Sequence, residues 1–118
     1  NDLSKSLLQA KTSHKYVLAD VYTDWCGWCK RLDADTFGDQ QMVDYLNQKF
    51  LVVKVNAEDE GGGKQVAEKY KVTGFPCALV FEPSGKFLGK ISGYLRADQY
   101  QQALENLIKH PPADPYAD

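Results

Sequence analysis

Short apolar runs alternate along the chain with stretches whose apolar residues recur at helical spacing. Tyr16-Val17-Leu18-Ala19-Asp20-Val21-Tyr22 reads as a buried strand, compact and rich in β-branched residues, with one carboxylate, Asp20, in its middle. Cys29 to Ala34 suits a short helix that Thr36-Phe37-Gly38-Asp39 interrupts. Asp39 is suited to N-cap the next helix, where Met42, Val43, Leu46 and Phe50 recur on one side. Leu51-Val52-Val53-Lys54-Val55 reads as a second buried strand. Gly61-Gly62-Gly63 predicts a flexible joint, followed by a helix from Lys64 to Tyr70 with Val66, Ala67 and Tyr70 on one side. Ala78-Leu79-Val80-Phe81 and Phe87-Leu88-Gly89-Lys90-Ile91 flank Glu82-Pro83-Ser84-Gly85, which suits a type I turn and so a hairpin. The spacing of Tyr100, Ala103, Leu104, Leu107 and Ile108 predicts a final helix over Ala97 to Lys109, stopped by Pro111-Pro112. A first helix is predicted around Leu3 to Ala10.

This order of helices and strands predicts an α/β fold: a small mixed sheet of about four to five strands with helices on both faces. Strands separated by helices are expected to run parallel, with the final hairpin adding an antiparallel pair. The chain has 118 residues, enough for one domain and too few for two, so residues 1–118 are expected to form a single domain with its core over 16–109 and a loose tail over 110–118. With 43% hydrophobic and 25% charged residues, the composition is that of a soluble globular protein that needs no staples. The net charge of -2 gives no reason to expect nucleic acid or an anionic membrane as partner. No apolar run approaches the roughly 18–20 residues of a spanning helix, so insertion of this domain into a membrane is not expected. The first residue is Asn1, with no signal segment, so a processed product or an excised domain is expected.

The three cysteines change the picture most. An odd count argues against a disulfide framework. Cys26 and Cys29 fall at the end of the first strand and the start of a helix. There the unpaired N–H groups and the helix dipole favour a thiolate at Cys26, the attacking species in disulfide exchange. Cys29, one turn in and expected to be more buried, is placed to resolve the mixed disulfide that Cys26 forms. A structural disulfide across so short a loop would contribute little. A zinc site wants four ligands, and His14 and His110 lie far off in sequence, so no metal is expected.

"DWCGWCK" after a buried strand, with "TGFP" further along, resembles the thioredoxin superfamily over residues 16 to 109. "DWC.WCK" followed by "TFGDQQMVDYLNQKFLVVKVN" is similar to the C-terminal thioredoxin-like domain of the transmembrane thiol reductase DsbD and related exported proteins. Ordinary thioredoxins carry Gly-Pro between the cysteines, and here Gly27-Trp28 stands there. The resemblance implies the thioredoxin fold. It implies that Asp20 accepts the proton of Cys29, which agrees with the raised pKa of a buried carboxyl. It places Lys54 beside Asp20, although a surface lysine with its stem along the sheet fits equally well. It also implies a cis bond between Phe75 and Pro76 facing the cysteines, with the backbone at 75 held for an extended substrate.

Several assignments stay with the residues themselves. Trp25 and Trp28 flank the cysteines, and Trp28 is read as docking surface rather than core. Gly93 either leaves room in the groove beside Pro76 or simply ends a strand. Cys77 reads as a small buried strand residue ahead of a third redox thiol or a glutathionylation site. Gly61-Gly62-Gly63-Lys64 is no phosphate loop, since Glu58 and Gln65 stand where Gly and Ser or Thr are needed. The run Glu58-Asp59-Glu60 reads as a solvated loop.

The expected activity is thiol:disulfide exchange between the Cys26-Cys29 pair and protein partners, leaning to reduction, because Gly27-Trp28 supplies no cation to stabilise the Cys26 thiolate further. A thioredoxin-fold binding or chaperone module without turnover is the alternative, and a metal or iron–sulfur centre shared between two chains is the third. No cofactor is expected. An upstream protein electron donor, a monomeric state and a periplasmic or other extracytoplasmic location complete the expectation, with a cytoplasmic location as the alternative.

Overall fold

The computed structural model describes residues 2–116. In chain order the elements are α1 (Asp2–Ser13), β1 (Tyr16–Tyr22), α2 (Gly27–Asp35), α3 (Gln40–Lys49), β2 (Phe50–Asn56), α4 (Gly63–Lys69), β3 (Cys77–Phe81), β4 (Phe87–Ser92) and α5 (Ala97–Lys109). Four strands form one sheet in the order β2-β1-β3-β4. The fold is α/β with a mixed sheet, as the alternation of patterns predicts.

One topological expectation fails. β1 and β2, joined through α2 and α3, do run parallel. β3 also follows a helix, yet it lies antiparallel to β1, and β4 in turn is antiparallel to β3. A helical connection makes strands parallel only when it carries the chain back to the end of the sheet where the preceding strand began. The loop after α4 instead returns the chain at the end of the sheet where β1 finishes.

β1 and β3 alternate between two apolar layers, whereas β2, read as a buried strand, is an edge strand that buries Val53 and Val55 on one face and leaves Val52 and Lys54 exposed on the other. Val17, Ala19 and Val21 of β1 join Leu3, Ala10, Val66 and Ala67 on the face covered by α1 and α4. Leu18 joins Leu32, Met42, Leu46, Tyr100 and Leu104 on the face covered by α2, α3 and α5. Burial on both faces explains why β1 reads as a continuous apolar run. It also places Asp20, two residues after Leu18, on the α2–α3–α5 side.

Local chemistry sets the element ends. Asp39 caps α3 by accepting from the Met42 N–H at 3.1 Å. Phe50, expected on the α3 stripe, is the C-cap of that helix and already extended, so β2 starts without an intervening turn. Gly85 donates to the Glu82 carbonyl at 2.8 Å and closes the hairpin. In the tail, the Tyr116 ring lies 5.0 Å from Phe87 and 6.3 Å from Tyr70.

The triple glycine is not a loose joint. Gly63 is buried as the first residue of α4, and a Cβ there would stand 1.8 Å from the Asn56 carbonyl oxygen. Only glycine permits this approach of α4 to the end of β2. Gly63→Ala is therefore expected to destabilise the protein by about 3 kcal/mol, read as a lower urea midpoint with an unchanged slope.

Candidate active site

β1 delivers the chain to a turn in which Cys26 donates its N–H to the Thr23 carbonyl at 3.3 Å. Cys26 is then the N-cap of α2, extended at φ -81° and ψ 106°, and its Sγ accepts the Cys29 N–H at 3.1 Å. A sulfur placed there faces the unpaired N–H groups and positive dipole end of α2, so negative charge on it is favoured. Cys26 and Cys29 form a disulfide, and both are buried. In this oxidised form their burial is nearly equal, at 5% and 4% exposed, so the expected contrast in depth between the two is slight.

Asp20, six residues before Cys26 on β1, is buried, 2% exposed. The β1–β2 register pairs it with Lys54, whose Nζ reaches Asp20 Oδ2 at 2.9 Å. The same ammonium holds both oxygens of Asp33, at 2.9 and 2.8 Å, and lies 4.7 Å from the Tyr22 ring centroid. Burial raises the Asp20 pKa and outweighs the opposing pull of Lys54, while Asp33 adds a smaller upward push. Burial alone would lower the Lys54 pKa, but hydrogen bonds to Asp33 and Asp20 and their charges raise it, so Lys54 stays charged. A surface cavity of about 390 Å³ reaches this group, lined by Asp20, Asp33, Lys54 and Phe37 among others.

Around the disulfide the surface is aromatic. Trp25 and Trp28 are 67% and 58% exposed. Trp25 stands edge-on to Phe75 at 6.0 Å and donates through Nε1 to Glu58 at 3.0 Å. Trp28 lies 5.5 Å from Tyr94 and beneath the Arg31 guanidinium at 5.7 Å, while the Tyr94 hydroxyl donates to Asp35 at 2.9 Å. At Gly27 a side chain would meet open space. The Phe75-Pro76 peptide is cis. Gly93, at φ +85°, donates to the Pro76 carbonyl at 2.8 Å, which ties the end of β4 to the proline. A groove of about 350 Å³ runs past Phe75, Pro76, Cys77, Ser92 and Gly93. Cys77 is buried in β3, outside the disulfide, with its sulfur 4.0 Å from the Ser92 hydroxyl.

Asp20 and Lys54 thus form one cluster, while Trp25, Trp28, Phe75, Pro76 and Gly93 frame the surface around Cys26, Gly27 and Cys29. Sequence reasoning missed Asp33, Glu58, Arg31, Asp35 and Tyr94. Asp33 had a signal, since it lies one helical turn beyond Cys29. Glu58, read as part of a solvated loop, is exposed but holds Trp25. Among the described residues no group of three or more His, Cys, Asp or Glu side chains is placed to hold a metal ion. Nor is any described helix long and apolar enough to cross a membrane.

The sequence model of a thioredoxin-like domain matches residues 3–108. A thiol:disulfide interchange protein DsbD from Photorhabdus laumondii is 32% identical over 104 residues, covering 86% of this chain and 18% of that protein. A protein disulfide-isomerase from Triticum aestivum is 30% identical over 99 residues, covering 84% of this chain and 19% of its own length. The chain thus spans less than a fifth of these curated relatives. The oxidised DsbD C-terminal domain of Neisseria meningitidis superposes with a TM-score of 0.74 over 89% of this chain and 92% of that one, at 24% identity, a likeness of fold.

Proposed function

Because the chain belongs to the thioredoxin-like domain family, we propose that it reduces protein disulfides with the Cys26-Cys29 pair. The observation that carries this reading is the position of Cys26 as N-cap of α2, with its sulfur already accepting a backbone N–H. In the reduced protein the Cys26 thiolate attacks a partner disulfide, forming a Cys26–partner bond and expelling the partner's second sulfur as a thiolate. Cys29 then loses its proton to Asp20 and attacks the Cys26 sulfur. The Cys26-Cys29 bond forms, the Cys26–partner bond breaks, and the partner leaves with two electrons. Re-reduction requires an upstream protein dithiol, and no dissociable cofactor takes part.

Trp25 and Trp28 are assigned to docking, and the Phe75-Pro76 backbone to aligning an extended partner segment beside the disulfide. Trp28→Ala is expected to raise KM for a protein substrate about tenfold, with kcat and the thiol titration unchanged. Steady-state kinetics on reduced and refolded partner pairs reads this directly.

The direction of electron flow follows from Gly27-Trp28, which adds no cation beside Cys26. Equilibration in calibrated thiol buffers tests it, and a potential well above about -150 mV would make the protein an oxidant instead. Insulin reduction by the wild type no faster than by Cys26→Ser would leave the fold as a binding module without turnover. Similarity to DsbD supports an extracytoplasmic setting for this domain, and we assign it a monomeric state. Fractionation of cells expressing the full-length product tests the location.

A further inference from the structure

On the α5 side of the sheet, Asp20 Oδ1 and the Tyr100 hydroxyl are both buried with no hydrogen-bond partner in the protein. They share one layer. Tyr100 is fully buried and packs with Leu18 and Ala78. Leu18 lies two residues before Asp20 on the same face of β1, and Ala78 is the residue paired with Asp20 across β1 and β3. Phe37 bridges the remaining side, with its ring edge-on to Tyr100 at 5.2 Å and its flank lining the cavity that reaches Asp20. The Tyr100 hydroxyl is held protonated by burial first, and then by the nearby carboxylate of Asp20. A donor without an acceptor and an acceptor without a donor are both costly to leave bare in a core. One water accepting from Tyr100 and donating to Oδ1 satisfies both.

We propose that Tyr100 is a positioning residue for the proton on Asp20, holding one buried water against Oδ1 while Lys54 holds Oδ2. The proposal rests on the reading of Asp20 as the proton acceptor for Cys29. In the resolving step the Cys29 proton moves to Asp20, the Cys26-Cys29 bond forms, and the partner sulfur takes the electron pair of the bond that breaks. A water that donates to the carboxylate stabilises its charged form, as Lys54 does from β2. Asp33 on α2 and burial act the other way. The Cys26-Cys29 pair lies at the head of α2, and the buried Cys77 thiol stands on β3. A hydrophobic residue at position 100 would fill the core as well, so the oxygen is the part that calls for an explanation.

Tyr100→Phe removes that oxygen and little else. The oxidised protein is used, so that the cysteine pair does not titrate, and Asp20 is followed by carboxyl carbon NMR. Its midpoint is expected to rise by about half a unit to one unit in Tyr100→Phe. The acid limb of insulin reduction moves by the same amount, a loss of about 3- to 10-fold on that limb. An Asp20 midpoint unchanged in folded Tyr100→Phe overturns the proposal. Failure of the underlying reading looks different: Asp20→Asn would then keep the wild-type rate and limb. Should Tyr100→Phe not fold, the wild type decides. A long-lived water showing NOEs to the Tyr100 ring is expected, and its absence overturns the proposal.

Discussion

Cys29→Ser is expected to trap a covalent adduct between Cys26 and its partner, while insulin reduction falls to the uncatalysed rate. Cys26→Ser is expected to show the same loss of turnover with no adduct. The asymmetry comes from one turn of helix. Cys26 is the N-cap of α2, where the helix end favours its thiolate, whereas Cys29 lies inside the helix with its own N–H given to the Cys26 sulfur. Opening a partner disulfide therefore needs only Cys26, and release needs Cys29. Intact mass measured without reductant, before and after dithiothreitol, reads the adduct. An adduct formed by Cys26→Ser, or turnover kept by Cys29→Ser, would reverse the assignment. A Cys26→Ser/Cys29→Ser double variant tests Cys77, which at 3% exposed is expected to form no adduct.

Asp20→Asn is expected to stabilise the oxidised protein at neutral pH and to slow the resolving step. Burial holds the Asp20 pKa above its ordinary value of 3.8, with Lys54 opposing and not overcoming that shift. The folded state therefore binds this proton more tightly than the unfolded chain does. Its contribution to stability is complete below the ordinary carboxylate range and is lost as pH rises through the raised folded value. The stability gap between Asp20→Asn and wild type should open from about pH 4 upward and level off above that value. A gain of about 1 kcal/mol at neutral pH is expected, some 4 °C in Tm, because Lys54 keeps Asp33 and half its exposure. The amide cannot take the Cys29 proton, so resolution slows by about 10²-fold or more. Melting curves across pH and single-turnover release of partner thiol measure the two effects. Equal stability of both proteins at every pH would mean that the buried carboxyl is not perturbed, and the assignment of Asp20 would lose its basis.

Much of the candidate site was legible because its reasons are local. Cys26 and Cys29 are separated by one helical turn, and the strand before them and the helix after them both show in the apolar pattern. The same pattern marks Asp20 as anomalous within an apolar run. Asp33 and Tyr100 were harder. Each sits at an ordinary helical position, and Tyr100 counts as one more inward residue of α5. What makes them notable is the carboxylate of a strand that lies 13 and 80 residues away.

The sequence by itself determined the element order and the pairing of a cysteine at a helix start with a second one turn on. Those follow from periodicity and from short-range hydrogen bonding, which act over a few residues. Only the tertiary structure decided that β3 runs against β1, that Lys54 joins Asp20 to Asp33, and that Glu58 holds Trp25. It also decided that a tyrosine hydroxyl comes to lie in the layer that buries Asp20. Such meetings depend on which elements stack across the sheet, and local pattern carries no record of a neighbour brought in by the path of the chain.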